Sequence, residues 1–313
     1  MPRTRYQRSR QCECGCGGWT RGGKFLPGHD AKLKSILLQR ARAGDTTAQA
    51  ELERRGWVRT VAANGARRFG VEIEFMVSQN IGVAGVVEAL AAQGLTCSFA
   101  GYTHEVRSTW KLVTDGSLRA ARGDMGLELV SPPMAGADGF EQLRKACAAL
   151  ATVNAKINRS CGLHVHHEAR DMNVAAVRAM VANYTEAQMA INSILPASRH
   201  NSSYAAPWAG FQVEELNHCT TIQAMARVAT RYKTVNLCSY PKYGTVELRQ
   251  HSGSVEYAKI SAWVRFGQAM MDAAKAQTRI NAGTIADVLA QITIAAEDRA
   301  YWLRRAARFA VAA

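Results

Sequence analysis

Val71-Glu72-Ile73-Glu74-Phe75 alternates apolar and acidic residues. A period of two places Glu72 and Glu74 on one face of a strand and Val71, Ile73 and Phe75 on the other. Three further segments share the pattern. Leu163-His164-Val165-His166 carries two imidazoles, Val246-Glu247-Leu248-Arg249 a carboxylate and a guanidinium, and Leu127-Glu128-Leu129 one more carboxylate. An exposed antiparallel face also alternates polar residues, so each pair alone is compatible with solvent exposure. Together they resist that reading. A solvated face mixes Lys, Thr, Ser and Gln, whereas these positions hold only Glu, His and Arg. Like charges two residues apart repel unless water or a cation lies between them.

If the four strands pair in one sheet, their carboxylates and His164 converge on a cation site. Oxygen-dominated ligands with a single imidazole favour Mg²⁺ or Mn²⁺ over zinc. An Arg and a second His beside such ions can hold the phosphates of a nucleotide and neutralise charge during phosphoryl transfer. The chain has neither a Walker A sequence nor a Gly-rich dinucleotide fingerprint. A nucleotide here would depend on metal ions and side chains.

Around these segments the pattern mixes strands with helices. Strand-like runs are Phe69–Val77, Trp110–Thr114, Gly126–Val130, Gly162–His167 and Thr245–Gln250. Helical periodicity marks Val83–Gln93, Phe140–Ile157, Val174–Leu195, Val255–Ala276, Thr284–Ile294 and Ala296–Ala312. This predicts a mixed α+β domain. Residues 196–210 read as a long loop or lid. His167 should face away from His164 and His166, His251 reads as a satisfied loop histidine, and Trp263 with Ile260 and Phe266 as helix packing.

The 313 residues are 48% hydrophobic and 20% charged, which excludes wholesale disorder. No apolar run reaches the ~18 residues of a membrane span, the opening residues do not read as a secretory signal, and a cytoplasmic location is expected. The net charge of +14 is uneven: residues 1–68 hold 15 Lys and Arg, among them Arg3, Arg5, Arg8 and Arg10, against five acids, and so carry ten of the fourteen charges. Such a segment attracts nucleic acid or acidic protein surfaces, or serves only as a solubilising arm. Within it, Cys12, Cys14 and Cys16 alternate among glycines, with His29 following. Three thiolates and one imidazole are what structural zinc accepts, so a small zinc knuckle is expected. Helices should follow at Asp30–Ala43 and Thr46–Arg55, with Asp30 and Asp45 as caps and Arg59–Arg68 as a basic linker. Cys97, Cys147, Cys161, Cys219 and Cys238 read as buried thiols. The expected domains are 1–66 and 67–313.

The order of these motifs resembles the phage and bacterial amidoligases from about residue 67 to 275. The matching segments are Phe69–Phe75, Trp110–Leu118 with Asp115-Gly116, Leu127–Pro132, Cys161–His166, Arg231-Tyr232 with Asn236, and Thr245–Gly253. That family is distantly related to glutamine synthetase and glutamate–cysteine ligase, which share similar E-x-E-F, G-x-H-x-H and E-x-R elements. The resemblance implies a glutamine-synthetase-like curved antiparallel sheet with flanking helices, whose concave face holds two or three divalent ions and ATP. It implies metal ligation by Glu72, Glu74, Glu128, His164 and Glu247, contact of His166 with nucleotide phosphates, and stabilisation of the transferred γ-phosphoryl group by Arg249. Arg231 and Asn236 take a looser nucleotide or substrate role.

The implied reaction is ATP-dependent amide formation between a carboxylate and an amine through an acyl phosphate. The amine must arrive unprotonated, and Asp115 is the candidate base, although an Asp before Gly116 can equally serve a turn. The substrates could be small molecules such as an amino acid, a peptide, a protein side chain or a modified base. Two other readings stand beside this one: a metal-dependent hydrolase, for which His-x-His with carboxylates also suffices, and a nucleic-acid-binding protein with an inactive ligase-like domain.

Overall fold

The computed structural model describes residues 10–42, 47–48, 51, 55, 67–103 and 105–311. The chain divides into two compact units, residues 1–60 and 61–313. Arg3, Arg5, Arg8, Asp45 and most of the predicted Thr46–Arg55 helix and Arg59–Arg68 linker lie outside the described residues.

In the first unit, strands β1 (Arg10–Gln11) and β2 (Trp19–Thr20) pair antiparallel, and helix α1 runs from His29 to Arg42. Asp30 stands in the first helical turn, where its charge complements the helix dipole.

The second unit is built on a seven-stranded sheet. Its strands are β3 (Phe69–Ser78), β4 (Cys97–Phe99), β5 (Trp110–Val113), β6 (Asp124–Val130), β7 (Leu163–Glu168), β8 (Val235–Asn236) and β9 (Thr245–Leu248), in the order β4-β5-β6-β3-β7-β9-β8. The five predicted strands are all present. The two additional ones are edge strands of three and two residues, too short to show a periodicity. Neighbours run antiparallel except β4 and β5, which are parallel, so the sheet is mixed and not wholly antiparallel as expected.

Register decides which side chains share a face. Glu72 pairs with His164 and with Val130, Glu74 with Glu128, His166 with Glu247, and Glu247 with Asn236. Val71, Ile73, Phe75, Leu112, Leu127, Leu129, Leu163, Val165 and Leu248 therefore share the opposite face, and all are buried. Burying each such side chain contributes roughly 1.5–3 kcal/mol, which offsets the cost of drying the polar face.

Helices cover the apolar face. α2 (Gly82–Ala92) and α3 (Gly136–Thr152) pack on each other, and α9 (Tyr257–Lys275) packs on α4 (Val174–Glu186) and β7. The short helices between α4 and α9 are α5 (Gln188–Asn192), α6 (Gly210–Glu215), α7 (Ile222–Met225) and α8 (Tyr240–Tyr243), and α10 (Ile285–Gln291) and α11 (Ala296–Val311) follow. Trp263 stacks on Phe266 with centroids 5.3 Å apart, and Trp302 of α11 meets both edge-on. Trp263, Ile260 and Phe266 are thus core residues, as their spacing predicts.

Several helix boundaries differ from expectation: α3 starts at Gly136 and not Phe140, and α10 ends at Gln291 and not Ile294. α3 ends at Thr152 and not at Ile157, because Asn154 adopts a left-handed conformation (φ 52°) and Lys156 then pairs with Met76. The predicted Val174–Leu195 helix breaks at Ala187 into α4 and α5. Residues 196–210 are pinned at both ends: buried Arg199 donates to the Cys161 carbonyl, and buried Trp208 donates from Nε1 to the Val235 carbonyl at 2.9 Å. Of the five scattered cysteines, Cys147 and Cys161 are buried, while Cys97, Cys219 and Cys238 are only half-buried. No helix among the described residues is long and apolar enough to cross a membrane.

Candidate functional site

The polar face gathers the predicted groups into two overlapping clusters. Glu72, His164 and Glu247 each offer a ligand atom within 4.8 Å of the others, and so do Glu74, Glu128 and His164. His164 belongs to both. Its Nδ1 lies 3.2 Å from Glu72 and 3.9 Å from Glu247, and its Nε2 lies 3.9 Å from Glu74. His166 stands one ladder step away, with Nε2 3.3 Å from Glu72 and 3.8 Å from Glu247, and Nδ1 2.9 Å from the Thr245 hydroxyl.

Glu74, Glu128, His164 and Glu247 are all buried, so each carboxylate needs a partner. Glu74 accepts from the Gly162 backbone N–H at 2.5 Å. A Cβ at Gly162 would lie 3.0 Å from His164 Nε2 and 3.4 Å from Glu74, so the strand approaches the cluster closely only as glycine. Glu247 accepts from the Asn236 amide at 2.5 Å and from Arg249.

Electrostatics within the site are opposed. Burial raises the Glu128 pKa well above the carboxylate range, and repulsion from Glu72 and Glu74 adds to it. Burial would do the same to Glu72, but hydrogen bonds from His164 and His166 more than offset it and hold its pKa well below the usual range. Glu247 is also lowered: burial opposes its charge, and the charges of His166 and Arg249 favour it more. Burial opposes the Arg249 charge too, yet Glu247 and Glu72 raise its pKa.

A cavity of about 450 Å³ opens over this face. Glu72, Glu128, His164, His166, Arg249, Arg231 and Asp115 line it, whereas Glu74, Glu247 and Asn236 do not. Asn236 is buried and donates its amide to the Glu247 carboxylate. Asp115 accepts the Ser117 backbone N–H at 2.6 Å, so it does serve the turn while also facing the cavity. Arg231 donates to the Tyr232 hydroxyl at 3.2 Å. His167 lies on the apolar face, fully buried, as its alternation predicts.

The sequence reading missed Lys111. It is buried, lines the cavity, and donates from Nζ to the carbonyls of Glu105 at 2.6 Å and Thr103 at 3.2 Å. Its register partner Val130 also pairs with Glu72, which places it on the site face. The alternation Trp110-Lys111-Leu112 carried that signal. Lys242, Arg170 and Tyr243 also line the cavity, from positions without periodicity.

The donor set fits divalent cations. Buried carboxylates that raise one another's pKa are relieved by a positive ion, and four carboxylates sharing one imidazole are hard, oxygen-rich ligands of the kind Mg²⁺ or Mn²⁺ takes. In the first unit, Cys12, Cys14, Cys16 and His29 also bring their ligand atoms within 4.8 Å of one another.

A family model described as "Putative amidoligase enzyme" matches residues 65–271, and the match contains every residue of the two sheet clusters. No curated protein matches the chain.

Proposed function

Because the chain belongs to the amidoligase family, we propose that it is an ATP-dependent ligase that joins a carboxylate to an amine through an acyl phosphate. The observation that carries this reading is His164 shared between two buried carboxylate clusters, with Arg249 bound to Glu247 at the wall of the same cavity. Such a floor can hold more than one divalent ion beside a nucleotide, and Glu72, Glu74, Glu128, His164 and Glu247 would be the ligands. Bound there, Mg²⁺ or Mn²⁺ would neutralise phosphate charge and polarise the transferred group.

The chain's own groups then have distinct tasks. Arg249 presents a permanently charged fork to the γ-phosphoryl group as the substrate carboxylate oxygen attacks phosphorus and the bond to ADP breaks. His166, anchored at Nδ1 by Thr245, would turn its Nε2 donor from Glu72, 3.3 Å away, to a phosphate oxygen. Arg231 and Lys111 add positive charge at the wall. Amine nitrogen next attacks the acyl carbon, the C–O bond to phosphate breaks, and inorganic phosphate leaves. The amine's proton passes to a carboxylate, for which Asp115 is the candidate through Oδ2. Water must be excluded while the acyl phosphate exists, a task suited to residues 196–210, whose Tyr204 carbonyl lies 3.4 Å from Arg249 Nε.

The test is ADP release with Mg²⁺ and pooled carboxylates and amines, followed by trapping with hydroxylamine. Carboxylate-dependent ADP and a hydroxamate product support the ligase. Hydrolysis of an amide or ester without ATP overturns it in favour of the hydrolase. Nucleic-acid binding that survives Glu74→Ala but is lost on deleting residues 1–68, with no ADP formed under any condition, overturns it in favour of the binding protein.

A further inference from the structure

The described residues of the first unit show little of the apolar interior that usually holds a domain together. Their buried apolar side chains, among the described residues, are Cys12, Leu37 and Ala48, while Trp19 is 62% and Ile36 45% exposed. A segment with so small a core needs another source of stability, such as a metal. The structure brings a complete ligand set together there. Cys12 Sγ lies 3.3 Å from Cys14 Sγ, Cys14 Sγ lies 3.2 Å from His29 Nδ1, and Cys16 Sγ completes a group within 4.8 Å of one another.

The surrounding backbone is shaped for that group. Gly15 and Gly17 take left-handed conformations (φ 79° and 76°), which lets alternate residues turn their thiols to one point. The Leu26 backbone N–H donates to Cys12 Sγ at 3.3 Å, as amides commonly do toward metal-bound thiolates. The Cys12 N–H donates to the Gly18 carbonyl at 2.7 Å and closes the loop. His29 is the first residue of α1, so one ligand ties the knuckle to the helix.

We infer that Cys12, Cys14, Cys16 and His29 form a structural zinc site on which the fold of residues 10–42 depends. Three thiolates and one imidazole satisfy a tetrahedral ion and leave no position open for substrate, which makes the site structural and not catalytic. The ligand atoms surround the space of one ion; a cluster of several irons would need them farther apart. Binding releases the three thiol protons, and His29 coordinates as neutral imidazole through Nδ1. This inference is independent of the ligase reading, since all four ligands lie outside residues 65–271.

The test is elemental analysis of the full chain after dialysis against Mg²⁺, together with limited proteolysis. About one zinc per chain is expected, retained in His164→Ala and Cys97→Ser, reduced at least tenfold in Cys14→Ser, and retained in His29→Cys, which keeps four ligands. Chelation of the wild-type chain should open residues 10–42 to protease while residues 67–311 stay resistant. A zinc-free or iron-containing chain overturns the inference, and so does zinc that is lost in His164→Ala or kept in Cys14→Ser. Undiminished protease resistance of residues 10–42 after zinc removal overturns the claim that their fold depends on it.

Discussion

His164 on β7 stands directly opposite Glu72 on β3, with Nδ1 3.2 Å from the Glu72 carboxylate, while its other ring nitrogen faces Glu74 at 3.9 Å. One imidazole thus bridges two acidic clusters because each of its nitrogens looks into a different one.

That bridging role predicts unequal effects of ligand removal. His164→Ala should weaken Mn²⁺ binding at both clusters, whereas Glu128→Gln should weaken one. Losses of about 10–100-fold per disturbed site are expected. A Mn²⁺ titration followed by electron paramagnetic resonance checks this, and a Glu128→Gln variant that lost both sites would contradict it.

Arg249 is held by Glu247 and lines the cavity. Arg249→Ala should lower kcat for ADP release about 100-fold or more, with a smaller effect on the KM for ATP, because its charge matters most as the phosphoryl group transfers. Arg249→Lys should recover only part of the loss, since an ammonium cannot present two parallel donors. Steady-state kinetics decide it, and equal turnover in Arg249→Ala would remove the residue from its role.

Two fully buried histidines set an acid limit on stability. Burial, helped by Arg67 and His166, takes His167 down to about 3, and burial with the nearby Arg305 charge does the same to His251. Both rings stay neutral in the folded chain, whereas the unfolded chain takes up protons below about 6.5. Stability from this source is therefore full above that pH and falls as pH drops toward 3, by about 1.4 kcal/mol per unit for each ring. Denaturation midpoints between pH 7.5 and 5 should fall accordingly, and His251→Gln should roughly halve the slope.

Gly267 of α9 lies against the same His167. A Cβ there would fall 2.2 Å from His167 Nε2 and 2.8 Å from Leu248 Cδ1. Gly267→Ala should destabilise the chain by about 1–3 kcal/mol, because ring and helix must move apart in a close-packed layer. Urea unfolding measures it, and an unchanged midpoint would show that the layer yields freely.

Much of this was readable one strand at a time. Alternation placed Glu72 with Glu74 and His164 with His166, and it sent His167 to the other face, because pleat geometry is local. Lys111 obeyed the same rule and was overlooked, a lone cation between Trp110 and Leu112. The contact of Asn236 with Glu247 could not be read, since nothing within its own two-residue strand says that it faces Glu247. The break at Ala187 and the parallel pairing of β4 with β5 were equally hidden, for each depends on what a segment packs against.

The sequence by itself determined which residue types line one side of each strand, roughly where the long helices run, and that three thiols and a histidine stand close together near the start. Those features follow from spacing along a chain of fixed geometry. Only the tertiary structure decided that Glu128 pairs with Glu74, that His164 serves two clusters, and that Arg249 stands over Glu247. Strand order and register are set by how the apolar faces of distant segments fit under their helices, and this fit brings carboxylates from three strands and an imidazole from a fourth together.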